Sequence, residues 1–332
     1  MKRKIITYAM IIFGGVILLG ITGCSSDDNE NPTVNVAYMP DIHGATPLII
    51  GEEKGYFEEA GINVNAIEFD DGPTEFEAMV SGDVDIAYIG PGATYLAAKG
   101  QGSIITIDSL NTGDMVLATE ESGIESFEDL EGKDVGVPEG TSGEMVYSLG
   151  LQQAGVDPDD VDAVNMDVSN GVSAFVSDSV DAVATWAPYT NEIEKEVGES
   201  GMTKLADGGD FAPEYTFPQS WVASPEFLEE NEEEAVKFLE AWTEANDFRK
   251  DNMDEAIEMT AEEIDVPEDS LETMVDTTEF LSSEDILKHY DDGDVNEWYE
   301  NLQNLFVDTG QMDETTDTED FVKSKPLEEA LK

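Results

Sequence analysis

Positive charge is what this chain of 332 residues has least of: 15 Lys and Arg stand against 76 Asp and Glu, a net charge of −61. A surface so lopsided repels phosphate backbones, which excludes nucleic acid as a partner. Arginine is scarcest, with Arg3 at the start and Arg249 in the acidic C-terminal part. Because the segment around Arg249 reads as an outer helix, a bidentate guanidinium clamp on a sulfonate or carboxylate is not expected. Cysteine occurs once, at Cys24, so no disulfide and no cysteine-based metal site can form within the chain. Histidine occurs twice, at His43 and His289. There is no Gly-x-Ser-x-Gly, no His-Glu-x-x-His, and no EF-hand spacing in the acidic run 157–162. The sequence therefore predicts a protein that is not an enzyme and carries no metal or cofactor.

Charge this extreme would mean disorder in a hydrophilic chain, but hydrophobic residues make up 40% here and apolar periodicity persists through most of the length. The expectation is a folded, salt-adapted protein. In molar salt the Debye length shrinks to ~3 Å, which screens the repulsion between surface carboxylates that dilute buffer would leave intact.

The first residues combine Lys2, Arg3 and Lys4 with an apolar core from Ile5 to Leu19 and the tetrad Ile21-Thr22-Gly23-Cys24. This reads as a bacterial lipoprotein signal over 1–23, leaving Cys24 to be acylated and 24–33 as a flexible polar tether. The apolar core is short for a retained membrane helix. Removing the leader takes three bases and leaves 12 against 76, a net of −64. The expected location is the outer face of the cell membrane, with the protein anchored by a lipid on Cys24.

Short β-type runs alternate with helical stretches along the next part of the chain. Val34–Tyr38, Val64–Phe69, Ile86–Ile89 and Ile104–Ser109 read as strands, separated by helices over 47–54, 74–81 and 93–99. A second group of similar size follows, with strands at 116–119, 135–137, 163–166 and 182–185. After Ser224-Pro225 the texture changes to long acidic amphipathic segments such as 233–250 and 294–306, whose Asp and Glu read as solvated helix faces. No repeat is evident. The expected organisation is α/β with two lobes, each a mainly parallel sheet flanked by helices: lobe 1 over 34–115 and 225–332, lobe 2 over 116–224, with a helical C-terminal part.

One junction stands out. Val135–Val137 supplies a buried strand, Pro138–Gly140 a tight turn, and Thr141 or Ser142 an N-cap, leaving helix-end N–H groups pointing outward. Such a junction makes a polar ligand site without catalytic side chains.

Several segments, in order and at matching spacing, carry a family likeness. They are Ala45-Thr46-Pro47-Leu48 with the run Gly55 to Gly61, Ala78 to Ala87, and Gly90-Pro91-Gly92-Ala93. Further on come Phe127 to Lys133 with Gly140-Thr141-Ser142, Asp181 to Tyr189, and Thr216 to Trp221. Together they resemble the solute-binding proteins of ABC importers in the taurine, aliphatic sulfonate and nitrate group, and related binders of thiamine precursors, over nearly the whole mature chain. The resemblance implies a two-lobed periplasmic-binding-protein-like fold of type II and a small-molecule solute held between the lobes by hinge closure. It also implies a membrane permease as partner and a monomeric state. A sulfonate or taurine-like solute is the first expectation; an amine, a heterocyclic vitamin precursor or another neutral solute is the alternative.

In open α/β sheets ligands lie beyond the carboxyl ends of strands, which selects the loops 39–45, 90–94, 110–115, 139–143 and 186–189, with 217–221 near the return crossing. Asp41 and His43 follow the first strand and could contact ligand or cap the next helix. Gly90, Pro91 and Gly92 could let backbone approach a ligand, facing Thr141 and Ser142 from the other lobe, or form an ordinary turn. Asn111 and Asp114 sit at the interlobe crossing and could bind or shape the hinge. Trp186 could close on an alkyl chain or cation, or pack structurally. Phe217 and Trp221 are candidates that hinge packing would explain equally well. With no arginine to hand, an anion would have to rely on amides, hydroxyls and helix ends.

Overall fold

The computed structural model describes residues 31–332; the leader, Cys24 and most of the tether lie outside the described residues. Two sheets organise the chain. The first is built from β1 (Thr33–Tyr38), β2 (Asn63–Glu68), β3 (Ile86–Ile89) and β4 (Ser103–Asn111). The second takes β5 (Met115–Thr119), β6 (Asp134–Val137), β7 (Asp162–Asn165), β8 (Ala182–Thr185) and β9 (Met202–Asp207). The chain then returns to the first sheet with β10 (Pro218–Ala223) and β11 (Thr278–Phe280), giving the orders β11-β4-β10-β3-β1-β2 and β7-β6-β8-β5-β9.

The sheets are mixed rather than mainly parallel. Each βαβ unit yields a parallel pair, β1 with β2 and β3, and β6 with β7 and β8. The strands that carry the chain between sheets run the other way: β10 is antiparallel to β3 and β4, and β5 is antiparallel to β8 and β9. β10 lies inside the first sheet, so the return crossing falls before Pro218 and not at the 224/225 boundary expected from composition.

The crossings lie side by side. Asn111 N–H donates to Phe217 O at 3.1 Å, and Gly208 N–H to Asp114 O at 3.0 Å. Helices cover both sheets, and among the described residues none is long and apolar enough to cross a membrane. The expected C-terminal helices are present, including Glu232–Asp251, Met253–Ile264 and Asp294–Asp308. Glu232–Asp251 turns Phe238 and Trp242 onto the first sheet, where they meet Trp221 at ring-centroid distances of 5.6 and 6.2 Å. Burial of rings this large supplies several kcal/mol to this core.

Arg249 departs from the sequence reading. It is 0% exposed, not on an outer face. Asp108, the one acidic residue of β4, draws it inward, because a lone buried carboxylate demands a partner.

Candidate ligand-binding cleft

The loops after β1, β3, β6 and β8 converge, as the strand-end rule requires. They enclose a cleft of about 560 Å³, open mouth included. One wall carries Met39, Asp41, His43, Asp71, Tyr88 and Gly90; the crossing adds Asn111, Gly113 and Asp114. Thr141, Ser142, Trp186 and Ala187 close it from the second sheet, with Gln219, Met274 and Thr277 completing the rim. Among the described residues no Lys or Arg lines the cleft.

Its electrostatics are those of buried carboxyls. Asp41 is 6% and Asp114 4% exposed. Burial raises the Asp41 carboxyl above its ordinary value, against the pull of His43 and of the N–H groups of Gly44 and His43. Burial likewise pushes Asp114 up to about 6, opposed by the hydrogen bond from Ser142. Glu75, beneath this wall, is driven well above the carboxylate range by burial and by the charges of Asp41 and Asp71, and neither of its oxygens has a hydrogen-bond partner. The aspartates keep free acceptor capacity. Oδ1 of Asp41 takes the N–H groups of His43 at 2.9 Å and Gly44 at 2.7 Å, and Oδ1 of Asp71 takes that of Thr74 at 2.9 Å. Among the described residues the second oxygen of each accepts nothing.

At the second-sheet helix Ser142–Ala154 the Gly-rich junction forms as the sequence predicts, with Gly140 at φ +78 closing the turn. Its chemistry differs. The Thr141 hydroxyl donates to Pro138 O at 2.7 Å rather than capping the helix, and the Ser142 hydroxyl donates to Asp114 Oδ1 at 2.6 Å. A carboxylate therefore already stands at the helix start, where an anionic ligand would have been expected.

Eight of the sequence candidates line the cleft: Asp41, His43, Gly90, Asn111, Asp114, Thr141, Ser142 and Trp186. Four do not. Pro91 and Gly92 are buried in the short 3-10 turn Pro91–Ala93, which packs directly on the helix start across the cleft, so the two turns touch instead of facing each other over a ligand. Phe217 is buried at the crossing beside Gly208. Trp221 is 0% exposed, below the strand end, packed on Tyr88 at 5.7 Å. Asp41 does not cap the helix Ala45–Lys54, which has no side-chain cap; it holds its own loop through Oδ1 and lines the cleft.

Tyr88, Gln219, Asp71, Met274 and Thr277 were not singled out from sequence as cleft residues. Tyr88 is the last residue but one of β3 and donates to Gln219 Oε1 at 2.7 Å. Strand ends next to Gly90 and Pro218 were the available signal for both; nothing local marks Met274 or Thr277, which arrive from the C-terminal helices.

Asp108, Ser109 and His43 lie together but do not form a nucleophilic triad. Ser109 and Asp108 both meet the same ring nitrogen, His43 Nδ1, at 3.0 and 3.5 Å, and both are 0% exposed. A triad needs serine and carboxylate on opposite nitrogens, with the hydroxyl open to substrate.

Known proteins resemble this chain along most of its length. A family model described as NMT1/THI5 like matches residues 43–256. A Brucella abortus protein named as a binding protein is 38% identical over 292 residues, 88% of this chain and 90% of that one. A Bacillus subtilis protein named for binding aliphatic sulfonates is 27% identical over 305 residues, 87% of each chain. Among solved structures, the alkanesulfonate-binding protein SsuA from Xanthomonas axonopodis pv. citri, bound to MOPS, superposes with a TM-score of 0.69 at 17% identity, covering 89% of this chain and 99% of that one. The desulfurization enzyme DszB superposes at 0.65 with 15% identity, covering 90% and 99%. At such identities the likeness establishes the architecture, the periplasmic-binding-protein fold.

Proposed function

The chain belongs to the NMT1/THI5-like family, and from that premise we propose that it is the extracytoplasmic solute-binding component of an ABC importer whose cargo carries a protonated amine or an N–H-rich heteroaromatic ring. One observation carries the choice of cargo: Asp41, Asp71 and Asp114 line a cleft that, among the described residues, holds no Lys or Arg. An anion placed there would be desolvated beside carboxylates, whereas a cation or N–H donor would satisfy oxygens that otherwise lack partners. The faces of Trp186, Tyr88 and His43 suit a flat ring or a cation.

The two sheets with their helices act as jaws that pivot about the crossings 112–114 and 208–217, close on the cargo, and present it to a membrane permease. Acylation of Cys24 holds the monomeric protein at the outer membrane face. Capture without turnover is supported by the buried, wrongly disposed Ser109 and by relatives named as binding proteins.

A second reading, an aliphatic sulfonate, is favoured by the name of the Bacillus relative, and a taurine-like one would suit the aspartates best. A zwitterion would set its ammonium on the aspartates and turn its sulfonate toward Asn111 and Gln219. Thermal shift over a solute panel in molar salt tests both. Amines or aminated heteroaromatics at about a hundred times their dissociation constant should stabilise by about 2.7 kcal/mol. A response confined to simple alkanesulfonates overturns the cargo assignment, and turnover of a panel compound overturns the capture role.

A further inference from the structure

Behind the cleft wall, a chain of polar groups runs from the C-terminal helices to the His43 ring. Arg249 Nη1 donates to the carbonyls of Ile42 at 3.0 Å and His43 at 3.2 Å, and its Nη2 donates to Asp108 Oδ1 at 2.7 Å. The other oxygen, Asp108 Oδ2, accepts the Ser109 hydroxyl at 2.8 Å. Ser109 has a single proton, and that contact uses it. Its 3.0 Å approach to His43 Nδ1 is therefore one in which the ring donates. At the opposite edge His43 Nε2 lies 3.5 Å from Thr278 Oγ1, whose own proton goes to Met274 O at 2.7 Å. Of the two neutral forms of the ring, only the one protonated on Nδ1 satisfies the closer contact, that to Ser109, and it leaves Nε2 with a lone pair that Thr278 does not fill.

The ring plane is held as well. Phe280 packs on both the Arg249 guanidinium, 4.7 Å from its ring centre, and the His43 ring, 5.6 Å away and tilted by 21°. Tyr88 lies 6.1 Å from His43 at an interplanar angle of 7°.

We propose that Arg249 and Asp108, acting through Ser109, are positioning residues that lock His43 in its Nδ1–H tautomer, so that the ring offers Nε2 to the cleft as a hydrogen-bond acceptor for an N–H group of the cargo. A guanidinium thus serves recognition without touching the ligand: its charge orients a carboxylate, the carboxylate orients a hydroxyl, and the hydroxyl fixes a proton. The role in recognition rests on the cleft being the cargo site. The tautomer does not, so the two can fail separately.

With His43 and His289 the only histidines in the chain, long-range 1H–15N spectra of protein labelled at histidine nitrogen resolve both rings, and a His289→Gln variant assigns them. At pH 8 the cargo-free wild-type protein should show His43 with a protonated Nδ1 and a lone-pair Nε2. Asp108→Asn keeps an oxygen for Arg249 but turns an amide N–H2 toward Ser109, which reverses the relay. The proton should move to Nε2, and affinity for the amine or heteroaromatic that scores in the panel should fall at least tenfold. A wild-type ring protonated on Nε2 overturns the proposal whether or not the variant folds. A folded variant that keeps the Nδ1–H tautomer overturns the relay, and one that flips the tautomer with unchanged affinity overturns the role in recognition.

Discussion

Gly92 lies flush against Thr141: a Cβ built on Gly92 would stand 2.0 Å from the Thr141 carbonyl carbon and 2.2 Å from Ser142 N. The first residue follows a strand of the first sheet and the second opens a helix of the other, so the jaws meet here backbone to backbone. Glycine at 92 is what the closed form requires, since backbone cannot yield as a flexible side chain can.

Gly92→Val should therefore hold the cleft ajar. Cargo affinity should drop roughly a hundredfold, about 2.7 kcal/mol, while the fold survives because each sheet keeps its own helices. Small-angle scattering with saturating cargo should report no compaction. Wild-type affinity in this variant would mean that the liganded jaws do not meet at this point.

Acidity should govern binding through Asp114. Its carboxyl is pushed up to about 6 by burial, so a permanently cationic cargo should bind about tenfold more weakly for each pH unit below 6 and reach a plateau above it. Titration calorimetry between pH 4.5 and 8 would follow this, and Asp114→Asn should flatten the profile.

The same shift has a consequence for stability, of opposite sense. A carboxyl whose folded value lies above its unfolded one stabilises at low pH and loses that contribution as pH rises through the folded value. Above pH 6 the ionised Asp114 is a cost on the order of 3 kcal/mol in the empty protein. Asp114→Asn should therefore melt higher than wild type at pH 8 and no higher at pH 4; a lower melting point at pH 8 contradicts the assignment.

The two cleft-region tryptophans should separate cleanly. Trp186 is half-buried on the rim, edge-on to Tyr189 at 5.9 Å, and Trp186→Ala should weaken cargo binding with little change in melting temperature. Trp221 is 0% exposed in the core, and Trp221→Ala should cost about 3–5 kcal/mol of stability. Equal loss of stability in both would remove Trp186 from the cleft.

Salt should stabilise this protein strongly. Net charge is −61, and few of the acidic groups have a cation within reach, Lys54 with Glu255 and Lys250 with Asp285 being examples that do. Raising salt from 0.1 to 1 M shortens the Debye length from ~10 to ~3 Å and should lift the melting temperature steeply. A flat response would remove the case for salt adaptation.

Much of the fold was legible because its signals are local. Val135–Val137 followed by Gly140 reads as strand, turn and helix start from neighbours alone, and the acidic C-terminal helices announce themselves by period. The cleft was legible at loops such as 39–45 and 110–115, where polar residues follow strands. What escaped depends on contacts between distant segments. Arg249 lies on an amphipathic acidic helix, and its burial becomes intelligible only when Asp108, 141 positions earlier, is seen beside it. A single Asp among the isoleucines of β4, together with the one arginine outside the leader, was the trace of that pair. The sign of the cleft was hidden for the same reason: Ser142 and Asp114 are 28 residues apart, and their hydrogen bond places a carboxylate at the helix end that sequence alone offered to an anion.

The account stands or falls on which chemical group meets those aspartates, and a crystal structure of the protein with the cargo that scores in the panel observes it directly. The expected result is a cargo nitrogen within hydrogen-bonding distance of the free oxygen of Asp41 or Asp71, or of the Asp114 carboxyl, with the ring of Trp186 against it. A sulfonate, carboxylate or phosphate group in that position, or a cargo bound away from this cleft, would contradict it.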